Sequence, residues 1–125
     1  MKSTLLVAMG GAVGSVLRWS VAAAIQRATP GSALPWGTLA VNVIGSFAIG
    51  ALLALSDERG VIAPELRLLL VTGVLGGFTT FSAFSGEMLA LLRSGQAGMA
   101  LLYAAGSVVL GVAAAYAGWL AFARR

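Results

Sequence analysis

The stretch GGFTTFSAFSGE, residues 76–87, places glycines, threonines and serines around three phenylalanines inside an otherwise apolar segment. It follows LRLLLVTGVL (66–75) and precedes MLALLR (88–93). Glycine is a poor helix former, and threonine is β-branched with a hydroxyl group that competes for backbone carbonyls. The stretch therefore predicts a membrane helix that is locally broken near its middle.

A break inside a bilayer leaves backbone carbonyls without partners, so it is tolerated only where protein, water or an ion meets them. Carbonyl oxygens bound to a hard monovalent cation would satisfy this requirement, as they do in channel filters. Phe81 and Phe84 lie three residues apart and share one helical face. Because aromatic rings are electropositive at their edges, the two rings can line an anion path, although they also suit ordinary aromatic packing.

The composition around this stretch is that of an integral membrane protein. Of the 125 residues, 59% are hydrophobic and only 10% are charged, far fewer than the roughly 25% typical of soluble domains. Each of four apolar stretches has about the length that a membrane-spanning helix needs. The predicted fold is all-α, one domain covering residues 1–125, with helices at about 4–25, 36–55, 66–92 and 98–122.

The first stretch has a second interpretation, because its apolar run followed by AAA at 22–24 resembles a signal peptide with a cleavage site. Arg18 and Trp19 lie between the run and that site, which favours a membrane helix. Lys and Arg divide five against three between the two membrane sides, a modest bias that predicts insertion in either orientation.

The residue inventory argues against catalysis and against nucleic-acid binding. The chain has no Cys and no His, and four carboxylates. This removes disulfides, thiolate and imidazole metal sites, and most nucleophile and base pairs. The net charge of +4 is spread over helix ends, whereas nucleic-acid binding would favour a clustered basic face. We expect no enzyme and no nucleic-acid partner.

Polar side chains recur at four-residue spacing in two of the apolar stretches. Thr38, Asn42 and Ser46 form one stripe in the second, and Tyr103 and Ser107 share a face in the fourth that Gly111 continues. The Asn42 amide either makes an ordinary interhelical hydrogen bond or serves an ion path, and the spacing alone leaves both open. Gly10 with Gly14 and Gly73 with Gly77 predict close helix packing.

Taken together, GGFTTFSAFSGE, the upstream PWGTLAVNVIGSFAIG (35–50) and GGAVGSVLRW (10–19) resemble the Fluc-type fluoride channels, the CrcB family. The resemblance implies a passive fluoride-selective channel that exports fluoride from the bacterial cytoplasm across the inner membrane and confers fluoride resistance. It implies an antiparallel, dual-topology homodimer with two fluoride pathways and a structural Na⁺ at its centre.

The resemblance also implies roles for individual residues. Asn42 would donate to fluoride, the ring edges of Phe81 and Phe84 would contact it, and Arg18 would attract anions at a vestibule. The remaining pathway positions would be Thr38, Thr80, Ser82, Tyr103 and Ser107. Carbonyls of Gly76 and Thr79 would hold the Na⁺. Gly111 departs from the family pattern, in which the polar track continues with a hydroxyl group, and Glu87 receives no role.

Two other functions remain open at this point. A four-helix exporter of organic cations would need a carboxylate in its first helix to bind the cation and exchange protons, and this chain has Arg18 there instead. A scaffold subunit without transport activity would leave Asn42, Phe81 and Phe84 without a purpose. We therefore favour the channel.

Overall fold

A computed structural model describes residues 1–123, and all regular secondary structure within them is helical. The helices are α1 (Lys2–Ala28), α2 (Trp36–Glu58), α3 (64–78), α4 (Phe81–Arg93) and α5 (Ala97–Phe122). Helix α2 is π-helical over Ala54–Glu58, and α3 is π-helical over Leu68–Leu75. The predicted all-α class is confirmed.

Within residues 1–123, four segments are long and apolar enough to cross a membrane: Lys2–Ala28, Trp36–Glu58, Pro64–Arg93 and Ala97–Phe122. Their mean hydropathies are 1.5, 2.0, 1.6 and 1.9. The third segment contains both α3 and α4. The number of predicted spans therefore agrees with the structure, and the chain is a multi-pass membrane protein.

Glycine lets the helices pack with their backbones in contact. A Cβ added to Gly10 would lie 2.8 Å from the Cα of Gly73, so α1 and α3 touch without intervening side chains. The α2–α5 contact is similar, since a Cβ at Gly50 would overlap the carbonyl of Ala115 and one at Gly118 would overlap the carbonyl of Phe47. Apolar side chains gain little from each other relative to lipid, so close backbone approach supplies the packing energy instead.

Helical backbone is interrupted between α3 and α4. Thr79 has φ −80° and ψ 154°, and Thr80 has φ −150° and ψ 119°, so both residues are extended. Gly45 lies directly opposite in α2, where a Cβ would collide with the Thr79 methyl group. A glycine at position 45 therefore allows the extended pair to lie against α2.

Polar contacts tie together the segment ends around the α2–α3 loop. Arg67 forms an ion pair with Asp57 at 3.0 Å, and the indole Nε1 of Trp119 donates to Glu58 at 2.8 Å. These contacts hold the α2–α3 connection against α5. Arg124 and Arg125, which contribute to the predicted charge bias, lie outside the described residues.

Candidate functional site

The extended pair at Thr79–Thr80, called the helix break below, is bonded by a side chain from α2. Asn42 Oδ1 accepts from the backbone N–H of Thr80 at 3.0 Å, and Asn42 Nδ2 donates to the Thr80 carbonyl at 3.2 Å. In an unbroken helix the Thr80 N–H would bond the carbonyl of Gly76. The amide thus satisfies the Thr80 N–H, which the interruption leaves without its helical partner, and also bonds the carbonyl of the same residue.

Threonine hydroxyls complete the bonding of the helix break. The Thr79 hydroxyl and the Thr79 backbone N–H both donate to the carbonyl of Leu75, each at 2.9 Å. The Thr80 hydroxyl accepts from the N–H of Ala83 at 3.2 Å, which makes Thr80 the N-cap of α4. It also lies 3.4 Å from the hydroxyl of Ser82. One threonine therefore ends α3 and the next begins α4.

Three aromatic rings run from the helix break into the bundle. The ring centroids of Phe81 and Phe84 are 5.6 Å apart with the planes inclined by 34°, and those of Phe84 and Tyr103 are 5.1 Å apart at 40°. Phe81 is 79% exposed, whereas Tyr103 is 2% exposed. This aromatic ladder of Phe81, Phe84 and Tyr103 begins at the surface of the single chain and ends in its core.

A carboxylate lies at the inner end of the aromatic ladder. The hydroxyl of Tyr103 donates to Glu87 Oε2 at 2.8 Å, and the hydroxyl of Thr38, 8% exposed, donates to Glu87 Oε1 at 2.6 Å. Sequence reasoning gave Glu87 no role, although Phe84 and Glu87 lie three residues apart and therefore on one face of α4. This spacing indicates that the Glu87 carboxylate lies on the same side of α4 as the Phe84 ring.

Two cavities lie near these residues. The first cavity has a volume of about 510 Å³, and the second, of about 520 Å³, includes Glu87 in its wall and lies beneath the α1–α2 and α4–α5 connections. The first cavity brings together most of the predicted pathway residues. Its lining includes Asn42, Ser46, Thr79, Thr80, Phe81, Phe84 and Ser107.

The remaining predicted residues are distributed unevenly around the first cavity. Ser46 donates its hydroxyl proton to the carbonyl of Asn42 at 2.7 Å, and Gly111 faces Ser46, with an added Cβ 3.5 Å from the hydroxyl oxygen. Thr38 and Tyr103 lie beyond the first cavity, at Glu87. Arg18 is half-buried in α1 and does not line either cavity.

Gly76 lies in the lining of the first cavity, at the start of the last turn of α3. Its Cα is exposed, and an added Cβ would come no closer than 3.9 Å to another part of the chain. Among the described residues no cluster of three or more His, Cys, Asp or Glu side chains offers a metal site. A cation in this region would therefore rely on backbone carbonyls.

Comparison with known proteins identifies the family. The family model described as CrcB-like protein, Camphor Resistance (CrcB), matches residues 5–119. The chain belongs to the CrcB family. The resemblance carried by residues 76–87 is therefore confirmed, and the helix break, the Asn42 amide and the aromatic ladder are features of a CrcB protein.

Several curated relatives are similar over nearly the whole CrcB chain. A protein of Thermus thermophilus is 54% identical over 119 residues, which cover 95% of this chain and 94% of the relative. Proteins of Rhizobium etli and Agrobacterium fabrum are 52% and 49% identical over 118 residues, covering 94% of each chain. All three are named fluoride-specific ion channel FluC, so the relatives are ion channels and the prediction of no enzymatic activity agrees with them.

Proposed function

We propose that this CrcB protein is a passive, fluoride-selective channel through which the bacterial cytoplasm loses fluoride across the inner membrane. The observation that carries the proposal is the first cavity, where an amide, hydroxyl groups and two aromatic rings meet beside the helix break. The names of the curated relatives support fluoride as the ion.

The chemistry of the cavity suits a small, strongly hydrated anion. Entry requires donors that replace the ion's water, and the Asn42 amide, hydroxyl groups and electropositive ring edges are such donors without a fixed positive charge. Because none of them is charged, the bound ion is not held too tightly to leave, which conduction requires. A narrow path of this kind also favours fluoride over the larger chloride.

The aromatic ladder marks the line along which we propose that the ion moves. Phe81 and Phe84 line the first cavity, and Phe84 contacts the Tyr103 ring, whose hydroxyl group reaches Glu87 in the wall of the second cavity. We place the fluoride pathway along this line, from the first cavity past Phe84 to the second. At its inner end the hydroxyl groups of Thr38 and Tyr103 donate to Glu87 in the single chain, so each would have to turn from that carboxylate to donate to fluoride.

The carboxylate inventory supports a passive mechanism. Proton-coupled transport needs a titratable group within the bundle, and Glu87 is the one carboxylate well inside a spanning segment. Both of its oxygens accept hydrogen bonds from Thr38 and Tyr103. The same bonding disfavours an exporter of organic cations, which would need a carboxylate free to bind its substrate.

The protein is proposed to act as an antiparallel homodimer with two pathways. Phe81 leaves 79% of its surface uncovered in the single chain, and Gly76, which lines the same cavity, is also exposed. A second copy packed against this face would enclose the first cavity and keep lipid out of it. The modest Lys and Arg asymmetry is compatible with insertion in both orientations, which such a dimer needs.

A structural Na⁺ fits the carbonyls at the helix break. The Thr80 N–H that would bond the Gly76 carbonyl in a continuous helix bonds Asn42 instead, so this oxygen is released for a hard cation. Gly76 and Thr79 from both copies would hold the ion on the dimer axis. When bound, it would fix the two helix breaks relative to each other.

The proposal is tested by ion release from liposomes loaded with fluoride, measured with a fluoride electrode. We expect wild-type protein to release fluoride. The Phe81→Ile variant should release it at a rate lower by roughly tenfold or more, because the aliphatic side chain lacks a polarised ring edge. Phe122→Ile, at the end of α5, is the matched control and should conduct like wild type. Equal rates for Phe81→Ile and wild type would place the pathway elsewhere.

A further inference from the structure

The Asn42 amide can bond the Thr80 backbone in one orientation only. A backbone N–H must meet the carbonyl oxygen of the amide, and a backbone carbonyl must meet its nitrogen. The observed bonds, 3.0 Å to the N–H and 3.2 Å to the carbonyl, have this arrangement. Turning the amide over would oppose two donors and two acceptors and would lose both bonds.

The fixed orientation determines what the amide presents to the first cavity. Oδ1 is directed at the Thr80 N–H, and one of the two hydrogens on Nδ2 is directed at the Thr80 carbonyl. The other hydrogen on Nδ2 is the remaining donor of a side chain that lines the cavity. An amide without this restraint would expose its carbonyl oxygen as readily as its nitrogen, and a carbonyl oxygen attracts cations.

Other side-chain bonds near the Asn42 amide lie within single helices, and a glycine allows the two backbones to approach. Ser46 donates to the Asn42 backbone carbonyl at 2.7 Å, and the Thr79 hydroxyl donates to Leu75 at 2.9 Å. Gly45 allows Thr79 to lie against α2, since a Cβ there would meet the Thr79 methyl group. The approach of the two backbones thus depends on a residue other than Asn42.

We propose that the Thr80 backbone is a positioning group that fixes the polarity of the Asn42 amide, so that a single N–H of Asn42 faces the ion. This inference rests on the proposed function and assigns the preference for anions at this site to the peptide unit of the helix break. The Asn42 amide serves two purposes at once, closing the helix break with one edge and meeting the ion with the other.

Asn42 is the only asparagine in the chain, which makes a direct test practical. Protein labelled with ¹⁵N-asparagine in detergent micelles gives one pair of side-chain amide protons. On titration with sodium fluoride we expect one proton of the pair to shift while its hydrogen-bonded partner stays in place. Sodium chloride is the control titrant and should shift neither proton.

Either of two results would overturn the inference. Equal movement of both protons would mean that the bonds to Thr80 open when the ion binds, and movement of neither would mean that Asn42 does not meet the ion. The liposome assay on the same preparation separates these results from failure of the proposed function, because only the latter abolishes wild-type fluoride release.

Replacing Thr80 by its α-hydroxy acid exchanges the backbone N–H for oxygen and leaves every side chain in place. We expect fluoride release to fall by roughly tenfold, because a donor that must be oriented during passage stabilises the ion less than a fixed one. The reversal potential in a sodium fluoride gradient should also move toward lower anion selectivity, which a purely structural role would not produce.

The same exchange at Val61, whose N–H bonds the Leu55 carbonyl at 3.1 Å in a loop, is the control for loss of one backbone bond. It should leave release and selectivity unchanged. Folded protein with the exchange at Thr80 and wild-type selectivity would contradict the inference. If the protein with the exchange at Thr80 aggregates, the sodium fluoride titration of wild-type protein decides whether the inference holds.

Discussion

The α2–α5 contact and the helix break both depend on glycines that bring backbones together. The two regions differ in the hydrogen-bond partners of their backbone groups. At Gly50 and Gly118, helix meets helix with all backbone groups bonded internally, so close approach yields dense apolar packing. At Gly45, helix meets extended chain, whose backbone groups bond the Asn42 side chain. The first contact is structural, and the second creates a polar lining.

These two regions show where a membrane protein can tolerate backbone groups that are not bonded within a helix. A helix interruption persists only if its backbone groups find partners. Here the Asn42 amide meets the Thr80 N–H, and the Thr80 hydroxyl meets the N–H of Ala83. Substitutions at the α2–α5 contact should therefore affect folding first, and substitutions along the aromatic ladder should affect conduction first.

The largest expected effect is on folding, from Gly50→Leu. A Cβ alone would overlap the Ala115 carbonyl, so a leucine side chain must separate α2 from α5 and should cost more than the ~1–3 kcal/mol of ordinary overpacking. We expect no monodisperse protein by size-exclusion chromatography. Gly98→Leu, at a position with open space, is the control. A normal elution profile for Gly50→Leu would contradict the close contact.

The next largest effect is on conduction, from Phe84→Leu. Phe84 lies between Phe81 and Tyr103 in the aromatic ladder, so its loss should slow fluoride release by roughly tenfold while the fold persists. Release from liposomes and the elution volume would be measured together. Phe122→Leu should match wild type in both. If Phe84→Leu aggregates and Phe122→Leu does not, the slow release by Phe84→Leu would show that the Phe84 ring supports the fold.

A smaller effect on stability is expected for Thr38→Val. The change keeps the shape of the side chain but removes the 2.6 Å bond to Glu87, leaving a half-buried carboxylate oxygen without that donor. We expect a loss of ~1–3 kcal/mol in the free energy of unfolding. Reversible denaturation in mixed micelles would measure it. Ser20→Ala, which removes an exposed bond within α1, should change stability far less.

The smallest effect is expected for Asp57→Asn. The Asp57–Arg67 ion pair has side chains that are 51% and 46% exposed, so water screens it and its loss should cost only ~0.5 kcal/mol. Fluoride release should not change, because neither side chain of the pair lines a cavity. A large loss of release would mean that the α2–α3 connection takes part in conduction.

The sequence was sufficient for the fold class and for much of the cavity lining. Hydropathy identified four spans because about 20 apolar residues are needed to cross the bilayer. Four-residue spacing placed Asn42 and Ser46 on one face, and both line the first cavity with Phe81, Phe84, Thr80 and Ser107. These patterns are local, so one sequence reveals them.

Contacts between segments could not be predicted from the sequence. Asn42 bonds a backbone 38 positions away, and Thr38 bonds Glu87 across 49 positions. Periodicity describes the face of one helix but says nothing about which helix it meets. The roles of Glu87 and of the Thr80 peptide unit follow only from the packing of α2, α4 and α5.

The central claim is that neutral dipoles and ring edges beside the helix break pass fluoride and reject chloride. Its most direct test is the release of each anion from liposomes containing wild-type protein, loaded with both ions and followed with two ion-selective electrodes. We predict rapid release of fluoride with chloride retained. Release of both anions, or of neither from monodisperse protein, would contradict the account.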